Sequence, residues 1–189
     1  ATRGYIQVEG TDVRDYPLEQ LRSIIGIVPQ NASIISGSVA DNIRWGKESA
    51  SEEEIWEALK IAQAEPFVRN LAEGLDTHLE QGGKNLSGGQ RQRLTIARAI
   101  VGKPRILILD DSFSALDAAT DRALRKAISE QEDMTVIMVS QRASSIKSAD
   151  QIVVMDDGEV VGLGTHQQLL ETCQVYREIC QSQDQGGER

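Results

Sequence analysis

The sequence predicts an α/β protein built on a parallel sheet flanked by helices. Three observations carry this: short apolar runs of strand type at residues 24–28, 106–109 and 135–140, helical patterns of period 3.6 between them, and Gly or Pro where one pattern gives way to the next. The opening stretch, Tyr5-Ile6-Gln7-Val8-Glu9-Gly10, alternates like a strand and stops at a glycine turn. The apolar run at 24–28 is stopped by Pro29. Ser51 with Glu54 has capping-box spacing ahead of Ile55, Leu59 and Ala62, and Pro66 opens a further helical turn that Gly74 can close. After the run at 106–109 a helix is expected from about residue 117 to 128, and then the strand run at 135–140. Asp157-Gly158 lies between two β-type runs within residues 152–161, which reads as a hairpin finishing the sheet. Thr165 with Gln168 caps a last helix through Leu169, Leu170 and Tyr176, and the polar tail at 181–189 is expected to be disordered.

Composition excludes several functions before any motif is weighed. The chain has 189 residues, enough for one domain with a substantial core and too few for two ordinary ones. Its apolar runs fall far short of the roughly 20 residues that a membrane-crossing helix needs, so a membrane role has to come through a partner. The net charge of -9 argues against a nucleic-acid surface, because that affinity comes from Lys and Arg neutralising phosphates. Nucleotide binding survives, since it needs only a local site. Cys173 and Cys180 fall on one face of a helical pattern and read as buried thiols rather than a disulfide or metal pair.

The chemistry concentrates at Leu86-Ser87-Gly88-Gly89-Gln90-Arg91-Gln92-Arg93. Ser87 can act as an N-cap, and two glycines then let backbone pass close to a bulky ligand. A helix follows through Leu94, Ala97 and Val101, until Gly102-Lys103-Pro104 stops it. A glycine-flanked hydroxyl at a helix N-terminus is an anion site, because unpaired N–H groups and the positive end of the helix dipole face whatever negative group sits there. A phosphate is the natural candidate.

The string LSGGQRQR resembles the signature motif of ATP-binding cassette (ABC) proteins, and its neighbours agree with that family in order and spacing. Val28-Pro29-Gln30 resembles the Q-loop, whose glutamine reaches the metal and the attacking water. The stretch at residues 34–46, IISGSVADNIRWG, is similar to the segment that follows it in exporters, and Gln81-Gly82-Gly83 resembles the exporter X-loop. The run at 106–110 followed by Asp111 resembles the Walker B strand, Ser114-Ala115-Leu116-Asp117 the D-loop, and Ser140-Gln141-Arg142 the switch-histidine position. The resemblance covers the chain from Gly4 to about Tyr176.

It implies a partial nucleotide-binding domain at residues 1–180, of parallel-sheet P-loop NTPase type, with a helical subdomain at about 31–103. It implies ATP and magnesium as cofactors: Gln30, Ser87, Gly88, Gly89, Gln90, Asp110 and Asp117 would bind ATP, and Gln30 with Asp110 would hold the metal. The expected partners are a second nucleotide-binding domain, as a heterodimer, and a transmembrane domain, which puts the chain at the cytoplasmic face of a membrane. Residues 34–45 are expected at the membrane-domain contact, with Ile34, Ile35 and Trp45 exposed.

Two catalytic positions depart from the family. Asp111 stands where a glutamate usually polarises the attacking water, and aspartate is one methylene, roughly 1.5 Å, shorter. A misplacement of about that size can cost on the order of a hundredfold. Gln141 stands where a histidine is usual; it can still donate to a γ-phosphate, yet it is neutral and cannot reproduce an imidazole's titration. Neither His78 nor His166 is placed in the sequence to substitute. The pair of replacements resembles one subunit of heterodimeric exporters with unequal ATP sites. The phosphate loop G-x-x-x-x-G-K-S/T occurs nowhere in these residues, so the chain is expected to begin inside its domain, with the N-terminal portion of the fold absent. The alternative reading is a nonhydrolytic nucleotide-sensing module. Signature-bearing chromosome and repair ATPases are a weaker third, disfavoured by the acidic charge.

Overall fold

The chain divides into two units, Ala1–Ile137 and Met138–Arg189, and the computed structural model describes residues 3–184. In the first unit, β1 (Gln7–Val8) and β2 (Thr11–Asp12) pair antiparallel. Glu9 and Gly10 between them both have positive φ, 50° and 79°, as a tight hairpin turn demands. The alternation that begins at Tyr5 therefore ends in a small ribbon. After α1 (Leu18–Ser23) comes β3 (Ile25–Val28), and after β4 (Gly37–Ser38) come the helices α2 (Val39–Arg44), α3 (Glu52–Ile61) and α4 (Glu65–Arg69). Strand β5 (His78–Leu79) pairs with β4, and α5 (Gly88–Ile100) leads to β6 (Ile106–Asp110), α6 (Ala118–Ser129) and β7 (Thr135–Val139).

The sheet has the order β3-β6-β7. Strands β3 and β6 run parallel, with Ile25 opposite Ile106 and Val28 opposite Leu109. Val28, Leu107 and Leu109 are fully buried, as apolar strands covered by helices should be. Helix α5 packs against β3, α2 and α3. Its contact with β3 is flush, since a Cβ on Gly26 would come within 2.5 Å of the Ala99 carbonyl oxygen. The Ser51–Glu54 capping box forms in both directions, Ser51 Oγ accepting from Glu54 N–H and the Glu54 carboxylate from Ser51 N–H. A second box at Ser38 and Asp41, which sequence reading overlooked, opens α2.

The helix that Pro66 opens ends at Arg69, five residues before Gly74. Gly74, with φ of 53°, instead opens a 3-10 turn at Gly74–Asp76.

In the second unit, α7 (Ala143–Ile146) precedes β8 (Ile152–Asp156) and β9 (Glu159–Gly164). The expected hairpin forms, turning through Asp157 and Gly158 at φ 45° and 82°, but it stands as its own two-stranded sheet and does not finish the parallel one. The capping box of Thr165 and Gln168 opens α8 (His166–Thr172). The single last helix of the sequence reading is two, because Cys173 adopts extended backbone (φ -115°, ψ 111°) and α9 (Gln174–Asp184) starts afresh. That break lets Cys173, Tyr176 and Cys180 share one buried cluster with Ala143, Ile152, Val154 and Leu169. Both thiols are free and buried, as expected. Residues 181–184 continue α9 and are not disordered; the rest of the expected tail, residues 185–189, lies outside the described residues.

Within this cluster the Tyr176 hydroxyl lies 2.8 Å from His166 Nδ1. Burial, and then the neighbouring Cys180 thiol, push the phenol up to about 12. A phenol whose folded value is raised stabilises the fold fully below its unfolded value near 10, and that contribution is lost as pH rises towards 12. A phenolate absorbance titration of the folded chain is expected to contain a late step near pH 12 that is missing in Tyr176→Phe. Stability measured by urea unfolding is expected to fall between pH 10 and 12 more steeply in the parent than in that variant; equal slopes would contradict the assignment.

Candidate functional site

The start of α5 is built by its own side chains. Ser87 Oγ accepts from Gln90 N–H at 3.2 Å, and Gln90 Oε1 accepts from Ser87 N–H at 2.8 Å. Gln90, expected to face ATP, thus uses its amide oxygen to close the capping box. The N–H groups of Gly88 and Gly89 come next; they belong to the first turn and have no intrahelical carbonyl to meet. Ser87 and Gly88 are exposed, so the positive end of a 13-residue helix opens to solvent. Gly82 and Gly83, at φ 74° and 64°, shape the turn before it, and a Cβ on Gly83 would come within 2.8 Å of Arg91 Cδ. One turn into α5, Arg93 donates to the carbonyls of Gly89 (3.3 Å) and Gln63 (2.7 Å) and lies over the Phe67 ring. Burial lowers the Arg93 guanidinium from its ordinary value, and the charge of Asp117 opposes that fall.

The parallel register of β3 and β6 brings Gln30 and Asp110 to the same C-terminal sheet edge, where α/β folds receive ligands. Both are exposed. Asp111 follows with φ of 43°, a left-handed backbone that aspartate tolerates better than most residues, so the chain turns sharply off the strand at this carboxylate. Sequence reading missed Ser112. Its hydroxyl is buried, 3.0 Å from the Val28 carbonyl oxygen and 3.2 Å from that of Asp110, and so ties the end of β6 to the end of β3 just before Gln30. The only sequence signal for it is a small polar residue directly after two acidic ones.

The loop from Ser114 to Asp117 returns towards α5: a Cβ on Gly89 would stand 3.2 Å from the Ala115 carbonyl oxygen. The start of α5 and the loop that follows Asp111 are thereby held side by side. Asp117 is the N-cap of α6, its Oδ1 accepting from Ala119 and Thr120 N–H and its Oδ2 from the Thr120 hydroxyl. The backbone N–H and hydroxyl of Thr120, with further help from Ala119, hold this carboxyl below its usual range. Arg125 lies over the ring of buried Phe113 at 4.1 Å and pairs with Asp121, which supports the loop from beneath.

Gln141 belongs to the C-terminal unit. It is exposed, and its carbonyl accepts from Gln183 Nε2 at 2.6 Å. His78 lies beside Ser36 Oγ and His166 beside Tyr176, both occupied in local structure. Of the apolar residues expected at the surface, Trp45 is 70% exposed, Ile35 is half-buried and Ile34 is buried at 1%. The expectation for Ile34 is corrected: the chain folds back there, Ile34 accepting from Gly82 N–H through its carbonyl, and its side chain turns inward. Among the described residues no group of three or more His, Cys, Asp or Glu is placed to hold a metal. No helix among the described residues is long and apolar enough to cross a membrane.

Comparison with known proteins agrees with this geometry. A family model described as ABC transporter matches residues 1–114. An uncharacterized ABC transporter ATP-binding protein of Mycobacterium tuberculosis (strain ATCC 25618 / H37Rv) is 48% identical over 186 residues, 96% of this chain and 32% of that protein. An ATP-dependent lipid A-core flippase of Vibrio vulnificus (strain CMCP6) is 42% identical over 178 residues, 93% of this chain and 30% of the flippase. Among solved structures, a bacterial Atm1-family ABC exporter with ATP bound superposes with a TM-score of 0.90 at 34% identity, over 96% of this chain and 32% of the exporter. The chain thus spans about a third of the length of the relatives it matches. These residues belong to the ABC transporter family and form part of an ATP-binding domain of its exporter type.

Proposed function

We propose that this chain is the ATP-binding part of an exporter and couples ATP binding and hydrolysis at a dimer interface to movement of a substrate across a membrane. The observation that carries this is the open start of α5: the N–H groups of exposed Gly88 and half-buried Gly89 at the positive end of a helix, with the loop of residues 114–117 packed against Gly89. An anionic group is favoured there, and the lack of Cβ atoms lets it approach the backbone. Bound ATP with magnesium would supply the phosphoanhydride to be cleaved and the cation that offsets its charge. Gln30 and Asp110 would hold the metal at the sheet edge, while Asp117 keeps the D-loop in shape. Asp111 would orient water from a backbone turned away from the strand, with a reach one methylene shorter than glutamate.

In this reading Ser87, Gly88 and Gly89 face ATP held by a second, different nucleotide-binding domain. Asp110, Asp111 and Gln141 serve the other composite site, which turns over slowly. Residues 31–103 act as the helical subdomain, and exposed Trp45 marks the side turned to a transmembrane domain, at the cytoplasmic face of the membrane. The substrate is chosen by that membrane domain.

The 189-residue chain by itself contains no phosphate-loop pattern, so calorimetry is expected to find ATP–magnesium binding weaker than micromolar; micromolar affinity would contradict this account. In the assembled heterodimer, Gly88→Asp is expected to lower steady-state ATP turnover by about a hundredfold or more, because it sets bulk and negative charge where the γ-phosphate approaches. Asp111→Ala should lower it less than about threefold, since that site is already slow. Restoring the usual residues with Asp111→Glu and Gln141→His should raise turnover only modestly. Equal losses from Gly88→Asp and Asp111→Ala would rule out unequal sites.

A further inference from the structure

Arg98 sits in the last turn of α5, eleven residues beyond Ser87, and is half-buried without a carboxylate among its hydrogen-bond partners. Its guanidinium instead reaches three carbonyl-type oxygens. Nε donates to the Asn42 backbone oxygen, Nη2 to Asn42 Oδ1 and Nη1 to the Ser33 backbone oxygen, each at 2.8 Å. Asn42 is itself buried at 1% and saturated. Its Oδ1 also accepts from Ile35 N–H, and its Nδ2 donates to the carbonyls of Ile35 and Ser38. The backbones are equally close, for a Cβ on Gly46 would come within 1.9 Å of the Arg98 carbonyl oxygen.

A charged fork with carbonyl partners alone is an unfavourable way to fill space. Removing a guanidinium from water costs free energy that neutral acceptors offset only in part, and burial duly pushes Arg98 below its ordinary value. A Leu or Met would pack as well. What the planar fork adds is direction, since several N–H groups in fixed geometry set both distance and angle between two segments. One segment is α5, whose other end is the phosphate-facing start, about 16 Å away along the axis. The other begins three residues after Gln30 and runs to exposed Trp45.

We propose that Arg98 is a positioning residue that locks residues 33–45 to α5, so that a displacement of Ser87–Gln90 on meeting a nucleotide reaches Trp45 as a rigid-body movement. Asn42 is the receiving part of the lock, because it binds Arg98 and the backbone of residues 35 and 38 together. The lock itself depends only on this fold; its consequence for turnover rests on the exporter function proposed above.

The test uses the transporter that carries this chain, assembled with its partner, as wild type, Arg98→Lys and Arg98→Met. Lysine keeps the charge and most of the stem, but its single ammonium cannot bridge Ser33 and both Asn42 oxygens in one fixed plane. Hydrogen–deuterium exchange without nucleotide is expected to rise about tenfold across residues 33–45 in Arg98→Lys, with Ile35 N–H among the affected amides and β3 and β6 unchanged. The same variant is expected to lose about tenfold in kcat for ATP while KM stays within about twofold. Unchanged exchange would overturn the lock, and raised exchange with unchanged kcat would overturn its role in turnover. A general loss of protection, or a rise in KM matching the fall in kcat, would mark Arg98 as structural only. Should Arg98→Met fail to assemble, Arg98→Lys decides the matter. Absence of ATP turnover in the wild-type assembly would count against the exporter function, and the exchange measurement would then decide the lock by itself.

Discussion

Gly26 on β3 and Gly46 just beyond α2 approach two successive carbonyls of α5, those of Ala99 and Arg98. A side chain on either glycine would collide with helix backbone, at 2.5 Å and 1.9 Å. Contacts this close tie the helix to β3 and to the turn at Gly46, so that it does not slide or roll independently of them, since backbone cannot rotate aside as a side chain can. Everything carried by α5 inherits that fixed position: the glycine start at Gly88 and Gly89, Arg93 beneath the α3–α4 turn, and Arg98 against Asn42. The sheet edge is set from the same place, because the helix that holds β3 also fixes where Pro29 and Gln30 emerge beside Asp110.

The electrostatics of the unit follow from how little positive charge this arrangement needs. A chain of net charge -9 still has a local point of positive partial charge at the start of α5, because backbone N–H groups and a helix dipole supply it without a lysine. The basic side chains of α5 are occupied elsewhere: Arg91 donates to Gly83, Arg93 to Gly89 and Gln63, and Arg98 to Ser33 and Asn42. Each braces the helix against a neighbouring loop. Asp110 and Asp111 are adjacent at the sheet edge, one at the end of a strand and one on left-handed backbone.

The C-terminal unit is organised around a different centre. Tyr176 is its largest fully buried side chain, with His166 at the hydroxyl and the two cysteines in the same cluster. Gly162 makes room for Cys173 and Leu169 of the same cluster, since a Cβ there would come within 2.9 Å of Cys173 Sγ and 3.0 Å of Leu169 Cδ2. The hairpin and the two helices are therefore mutually dependent, and Gln141 is held through Gln183, which bonds its carbonyl and the N–H of Ala143.

Much of this was legible in the residue order alone. The apolar runs named β3 and β6 to within a residue, and Ser51 with Glu54 and Thr165 with Gln168 marked helix starts because a capping box is a local, four-residue event. The Ser87-Gly88-Gly89 string marked the start of α5 for the same reason. What the sequence could not decide are features made by residues far apart in the chain. Ser112 is an unremarkable serine until its hydroxyl is seen against Val28, 84 residues away. Ile34 and Trp45 have equal claim to the surface until the fold buries one. The pairing of Asp157-Gly158 strands into a separate sheet, and the break at Cys173, depend on which surfaces are available to cover them. Arg98 and Asn42 are 56 residues apart, and each reads singly as an ordinary helix-face side chain. Local chemistry is set by neighbours in sequence, whereas burial and long-range hydrogen bonds are set by packing, which exists only once the elements have met.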